Sequence, residues 1–218
     1  MPVIGPIAFW SRHDAVDPAV AQTHVLVVAR GAVAPLAPSP DDMREAATRR
    51  DAALFLIRRA ALRRLVARVA DVAPDSVVVA RARHNATGAP ILAAPQGFHV
   101  SVSARGDCAA LAVSRRPVGV DMELLGEAAA PAWNVLAPSE RAALEGLPPP
   151  ARPRAFLELW TAKEAYLKAL GLGLSREPGD IAADFGAETF TIRDAGMPVA
   201  AAMARNTLGD RLVACVVL

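Results

Sequence analysis

The sequence predicts an α+β fold built from two similar lobes. Three observations carry the prediction. Short apolar, often β-branched runs alternate with two long helical stretches. Gly, Pro and Asn/Asp clusters punctuate the runs. A weak internal repeat is also present. "TGAPILAA" (87–94) matches "AGMPVAAA" (195–202), and "GDCAALAV" (106–113) matches "GDRLVACV" (209–216), in the same order and at similar offsets. Each half therefore reads strand, helical segment, strand, Gly-x-Pro turn, strand, Gly-Asp turn, strand. The expected lobes are residues 1–117 and 118–218, related by a pseudo-two-fold axis. Each should be a small antiparallel sheet packed with a long helix, with a ligand site in the cleft between them.

The elements follow in order. "HVLVVA" (24–29) reads as a buried strand. After the proline-rich 34–42, Ser39 and Pro40 read as N-cap and first helical residue of a helix running to about Val69. Phe55, Leu62, Val66 and Val69 share one face of that helix and form its core stripe, flanked by Arg59 and Arg63. Strands are predicted at 76–82, 99–104, 108–114 and 118–124, with "NATGAP" and "ARGD" as turns. "SERAALEGL" (139–147) reads as a short helix with Ser139 as N-cap, and a longer one covers 153–170 and stops at Gly171. Strands at 188–193, 198–203 and 211–217 complete the chain.

Composition narrows the function classes. The 218 residues are 53% hydrophobic and 21% charged with a net charge of +2, which suits a folded domain rather than a disordered chain. Residues 44–68 carry eight arginines against Glu45 and Asp51. That cluster is either a solvated helix face or an attractor for a phosphorylated ligand. Only 5% of the chain is aromatic and no nucleic-acid signature appears, so no nucleic-acid partner is expected. No apolar run approaches the roughly 18 residues of a membrane span, and the N-terminus lacks a basic region and cleavage site. Cys108 and Cys215 lie in apolar runs and read as buried free thiols. A cytoplasmic protein is expected.

Two segments carry candidate chemistry. In "VGVDMEL" the strand period puts Asp121 and Glu123 on one face and Met122 on the other. The pair is either solvated at a strand end or buried against a cation, and hard oxygen ligands suit Mg²⁺ or Mn²⁺. In "WTAKEAYLKALGLGL", Trp160, Glu164 and Lys168 recur at helical spacing, with Lys163 near Trp160. Glu164 and Lys168 are either an ordinary i,i+4 ion pair or a third carboxylate with a neighbouring cation.

Together, "VGVDME" and "WTAKEAYLKALGLGL" resemble the signature of the 4′-phosphopantetheinyl transferases: Gly-hydrophobic-Asp-x-Glu, then Trp-(Ser/Thr)-x-Lys-Glu-(Ala/Ser)-x-x-Lys, often followed by Gly-x-Gly-Leu. Length and duplication are similar to the larger, surfactin-synthetase-activating type, in which one chain forms the site as a monomer. The resemblance implies transfer of the phosphopantetheine arm of coenzyme A to a serine of an apo acyl or peptidyl carrier protein, releasing 3′,5′-ADP, an activity of the holo-acyl-carrier-protein synthase kind. It implies Asp121, Glu123 and Glu164 as ligands of Mg²⁺, with Mn²⁺ as a substitute. Lys168 and Lys163 would offset phosphate charge, and Glu140 would take the serine proton. Glu140 reads equally as the first-turn glutamate of its helix.

The first lobe departs from the pattern. Where the family has Gly-Lys-Pro, this chain has "GAP", with Ala89 for the lysine. Where the family has Ser-His, it has Ser103 and Ala104. Arg44, Arg49 and Arg50 stand as substitutes in coenzyme A binding beside Ser103 and Lys168. The departures also admit a non-catalytic homologue that binds a carrier protein or another nucleotide.

Overall fold

The computed structural model describes residues 5–34, 36–81, 89–127 and 130–218, without the side chain of Leu174. The fold is α+β, as the sequence predicts. The first half contains β1 (Ile7–Trp10), β2 (Thr23–Ala29), α1 (Pro40–Ala46), α2 (Ala52–Ala70), β3 (Val78–Arg81), β4 (Pro90–Ala94), β5 (His99–Arg105) and β6 (Cys108–Ser114). The second contains β7 (Val118–Leu124), α3 (Pro138–Glu145), α4 (Arg152–Ala169), β8 (Ile181–Ala183), β9 (Ile192–Asp194), β10 (Met197–Pro198), β11 (Ala202–Leu208) and β12 (Arg211–Val217).

One sheet has the order β1-β2-β6-β5, with β1 parallel to β2 and the rest antiparallel. A second has the antiparallel order β11-β12-β7. Small sheets β3-β4 and β10-β9-β8 lie beside them. The two larger sheets share a core. Val25 and Val27 of β2 and Ala110 and Ala112 of β6 join Val120, Met122, Val213 and Cys215 of the second sheet. The alternate residues face outward onto helices. Leu26, Leu111 and Val113 pack with Leu62, Leu65 and Val66 of α2. Leu212, Ala214 and Val216 pack with the cluster that includes Leu159 and Ala162 of α4. The order of layers is helix, sheet, sheet, helix. Strands β2, β6 and β12 are apolar along their central residues because both their faces are covered.

The two Gly-Asp segments that resemble each other in sequence both form hairpins. Gly106 and Gly209 each adopt positive φ, +53° and +66°, in the tight turns that join β5 to β6 and β11 to β12. The "NATGAP" turn falls largely on residues 82–88, outside those described.

Several boundaries differ from expectation. The helix expected over 40–69 is two helices. Ser39 caps the first, accepting from Asp42 N at 3.1 Å while Asp42 accepts from Ser39 N. Thr48 turns its hydroxyl back to Glu45 O, and Asp51 accepts from Leu54 N at 2.8 Å, starting a new helix. Leu62 and Val66 are buried, while Phe55 and Val69 are only half-buried. The N-cap of α3 is Ala137, not Ser139, because Glu140 reaches back to Ala137 N at 2.8 Å. The strand expected over 188–193 shortens to β9, and that over 198–203 becomes the later β11. Helix α4 ends before Gly171, whose φ of +72° only glycine adopts easily. Both cysteines are free and buried. Among the described residues no helix is long and apolar enough to cross a membrane.

Candidate functional site

The site forms where β7 meets β5 and α4. Strand β7 buries Val118, Val120 and Met122 in the shared core, so Gly119, Asp121 and Glu123 point the other way, toward α4. Gly119 lets the two backbones touch. A Cβ at this position would lie 1.8 Å from Ala165 O and 2.5 Å from Ala169 N. That contact sets β7 against the turn of α4 bearing Glu164 and Lys168. Trp160, stacked on Phe156 at 6.4 Å, packs against the cluster between α4 and the outer face of the second sheet.

Strand β5 runs alongside, and three of its alternate residues reach β7 in succession. Ser101 Oγ accepts from Val120 N at 3.1 Å, and Ser103 Oγ donates to Asp121 Oδ1 at 2.7 Å. Arg105 forks Glu123, Nε to Oε2 at 2.6 Å and Nη2 to Oε1 at 2.5 Å. From α4, Lys168 Nζ donates to the same Asp121 Oδ1 at 2.6 Å and to Val120 O at 3.2 Å. Asp121, Glu123, Ser103, Glu164 and Lys168 thus lie near one another. Arg105 was missed, although the period-2 pattern along β5 places it on the Ser101–Ser103 face.

The electrostatics are those of an acidic site short of positive charge. Burial pushes the Asp121 carboxyl up from its ordinary range, and Lys168 opposes the shift. Burial also raises the Glu164 carboxyl, and the Asp121 charge adds to it. Two buried carboxylate oxygens, Asp121 Oδ2 and Glu164 Oε1, have no hydrogen-bond partner among the described residues. Such atoms are costly unless a donor or cation meets them. A hard divalent cation is a group that these oxygens could hold. Among the described residues, however, no three acidic, His or Cys side chains converge tightly enough to hold a metal ion. Arg105 occupies both oxygens of Glu123.

Glu140 and Lys163 lie apart from these carboxylates, paired with each other. Lys163 is fully buried and ion-paired with Glu140, and it donates to Val135 O at 2.9 Å and Pro178 O at 3.1 Å. Glu140 also accepts from Ala137 N and Ala183 N, both at 2.8 Å. The pair ties α3, α4 and the end of β8 together from within. Neither group meets Asp121, Glu123 or Glu164.

The arginine cluster is largely committed to structure. Arg59 and Arg63 are buried and pair with Asp42, binding α1 to α2. Arg44 pairs with Asp41, and Arg49 with Glu45. Arg50 is exposed in the turn before α2. Phe55 lies between Arg49 and Arg59, whose guanidinium carbons stand 5.2 and 5.0 Å from its ring centre. Beside them a cavity of about 180 Å³ is lined by Phe55, Arg58, Leu62, Val102 and Ala104 among others. Ala104 faces α2, opposite to Ser103 and Arg105. Edge strand β5 therefore separates this basic, partly apolar cavity from the carboxylates.

Comparison with known proteins bears on the same region. Residues 117–215 match the model of the 4′-phosphopantetheinyl transferase superfamily. The 4′-phosphopantetheinyl transferase gsp of Aneurinibacillus migulanus is 27% identical over 126 residues, 57% of this chain and 51% of the relative. HetI of a Nostoc species, named for the same activity, is 31% identical over 129 residues, 56% and 53% of the two chains. A 4′-phosphopantetheinyl transferase of Bacillus subtilis is 30% identical over 89 residues, 40% of each. The chain spans about half or less of the length of these relatives. The matched region, residues 117–215, contains β7 and α4, the elements that carry Asp121, Glu123, Glu164 and Lys168, and it is this part of the chain that is similar to the 4′-phosphopantetheinyl transferase superfamily.

Proposed function

We propose that the protein is a phosphopantetheinyl transferase of the larger, two-lobed type, acting on coenzyme A and an apo acyl or peptidyl carrier protein. The carrier serine Oγ forms a bond to the phosphorus that bears the pantetheine. The bond from that phosphorus to the bridging oxygen breaks, 3′,5′-ADP leaves, and the serine proton is released to water. The observation that carries the reading is the pair of unpartnered buried oxygens, Asp121 Oδ2 and Glu164 Oε1, beside the Lys168 ammonium. Asp121, Glu164 and Glu123 would hold Mg²⁺ or Mn²⁺. The cation would neutralise the diphosphate and stabilise the leaving group. Lys168 would offset charge on the reacting phosphate, in a site whose burial strengthens that attraction. Ser103 orients Asp121. Across the edge of β5, Arg49, Arg58 and Phe55 offer the 3′-phosphate and adenine a basic, partly apolar recess.

The test is direct. The protein is incubated with Mg²⁺, coenzyme A and a panel of apo carrier proteins, and each carrier is weighed intact. The reading expects one carrier to gain a single phosphopantetheine arm on serine. No gain on any carrier by a folded protein would count decisively against it.

A second reading, a homologue that binds a carrier protein or nucleotide without transfer, draws on a specific observation. Ala104 lines the cavity where the resemblance expects histidine, and Arg105 covers Glu123. Binding of coenzyme A without any arm transfer, across the same panel, would favour it.

A further inference from the structure

Arg105 has no part in the family signature. In this chain it closes on Glu123. Both Glu123 oxygens are engaged by the guanidinium fork. The partners differ in exposure: the Arg105 side chain is 48% exposed and that of Glu123 only 11%. The guanidinium can turn out to water, while the carboxylate stays held in the strand. Around them stand Asp121 and Glu123 of β7, Glu164 of α4, Glu127 beyond β7, and the Lys168 ammonium. Asp121, Glu123 and Glu164 put three negative charges against those of Lys168 and Arg105. A divalent ion added to that set competes with Arg105 for Glu123, and an incoming phosphate would give the displaced guanidinium a new partner.

We propose that Arg105 is an exchangeable latch: with no cation bound it neutralises Glu123, and when a divalent cation takes Glu123 the guanidinium passes to a phosphate of the ligand that the cation holds. The planar fork that fits a carboxylate also fits a phosphate. Ser103 and Arg105 alternate on one face of β5, so the released guanidinium remains beside Asp121 and within the same site. The latch supplies from position 105 a phosphate contact that position 104, an alanine facing the α2 cavity, does not. The inference rests on the transferase reading only in sharing its carboxylates.

The test uses Mn²⁺ as the cation and inorganic pyrophosphate as the phosphate probe. Free Mn²⁺ is followed by electron paramagnetic resonance during titration of the wild type, Arg105→Gln and Arg105→Lys. Thermal unfolding confirms that each variant is folded. Arg105→Gln should bind Mn²⁺ about ten-fold more tightly without pyrophosphate, because a competing fixed charge is gone. Its Mn²⁺-loaded form should bind pyrophosphate about ten-fold more weakly, because the fork is gone. Arg105→Lys, which keeps the charge without the fork, should lie between. Unchanged or weaker Mn²⁺ binding in Arg105→Gln would overturn the latch, as would unchanged pyrophosphate affinity or no Mn²⁺ binding at all. A latch observed in a chain that transfers no arm would sink the transferase reading alone. An arm-transferring chain indifferent to Arg105→Gln in both titrations would sink the latch alone.

Discussion

Gly119 presses its backbone against Ala165. There is no room between β7 and α4 at this point for even a methyl group, since a Cβ would stand 1.8 Å from the Ala165 carbonyl oxygen. The spacing of Asp121 and Glu123 from Glu164 and Lys168 depends on that contact. The glycine of "VGVDME" is therefore a packing requirement of the site.

Gly119→Ala should accordingly destabilise the protein by at least about 3 kcal/mol, because backbone atoms, unlike a side-chain tip, cannot move aside. Chemical denaturation measures the loss. Any folded fraction should also bind Mn²⁺ more weakly, because β7 and α4 are forced apart.

Glu164→Gln separates function from stability. Burial raises the Glu164 carboxyl, and the Asp121 charge pushes the same way. A carboxyl raised on folding holds its proton longer in the folded state. The stability it contributes when protonated is lost as pH rises from the ordinary carboxylate value through the raised one. At pH 7 the glutamine variant should thus be more stable by about 1 kcal/mol, and the difference should shrink toward pH 4. Divalent-cation binding should fall in the same variant. Melting curves at both pH values, with a Mn²⁺ titration, check the two halves.

Glu140 and Lys163 give the opposite pattern. Burial lowers the Lys163 ammonium, and Glu140 holds it up. Glu140→Gln leaves that charge uncompensated and should cost about 3 kcal/mol of stability. Transfer activity per folded molecule, assayed well below the melting temperature, should change little. A loss of about a hundred-fold or more at unchanged stability would instead restore Glu140 to the chemistry.

Ala104→His places an imidazole in the cavity lined by Arg58 and Phe55. A charge-assisted contact to a phosphate there should tighten coenzyme A binding by about ten-fold. Calorimetry reads the change, and no tightening would mean that the ligand phosphates do not reach this side of β5.

The acidic half of the site was legible because strand and helix periods are local properties. Two residues apart on β7 fixed the common face of Asp121 and Glu123, and one helical turn fixed Glu164 beside Lys168. The basic half was not legible. Arg59 and Arg63 lie in one charge run on α2, but their shared partner, Asp42, sits on a separate helix that the sequence ran together with α2. Asp51 could have signalled the break, since aspartate three residues before Leu54 is an N-cap pattern. Arg105 was readable as a face-mate of Ser103. That its face meets Glu123 follows only from β5 lying against β7. Glu140 shows the converse: its first-turn position announced a capping role, and the buried lysine that completes it comes from α4.

The central claim is that one site gathers a divalent cation and the phosphates of coenzyme A around Asp121, Glu164 and Lys168. Calorimetric titration of coenzyme A with and without Mg²⁺, repeated on Asp121→Asn, tests it most directly. The account predicts micromolar binding that requires Mg²⁺ and is lost in the variant. Binding of equal strength without Mg²⁺, unchanged by Asp121→Asn, would contradict it.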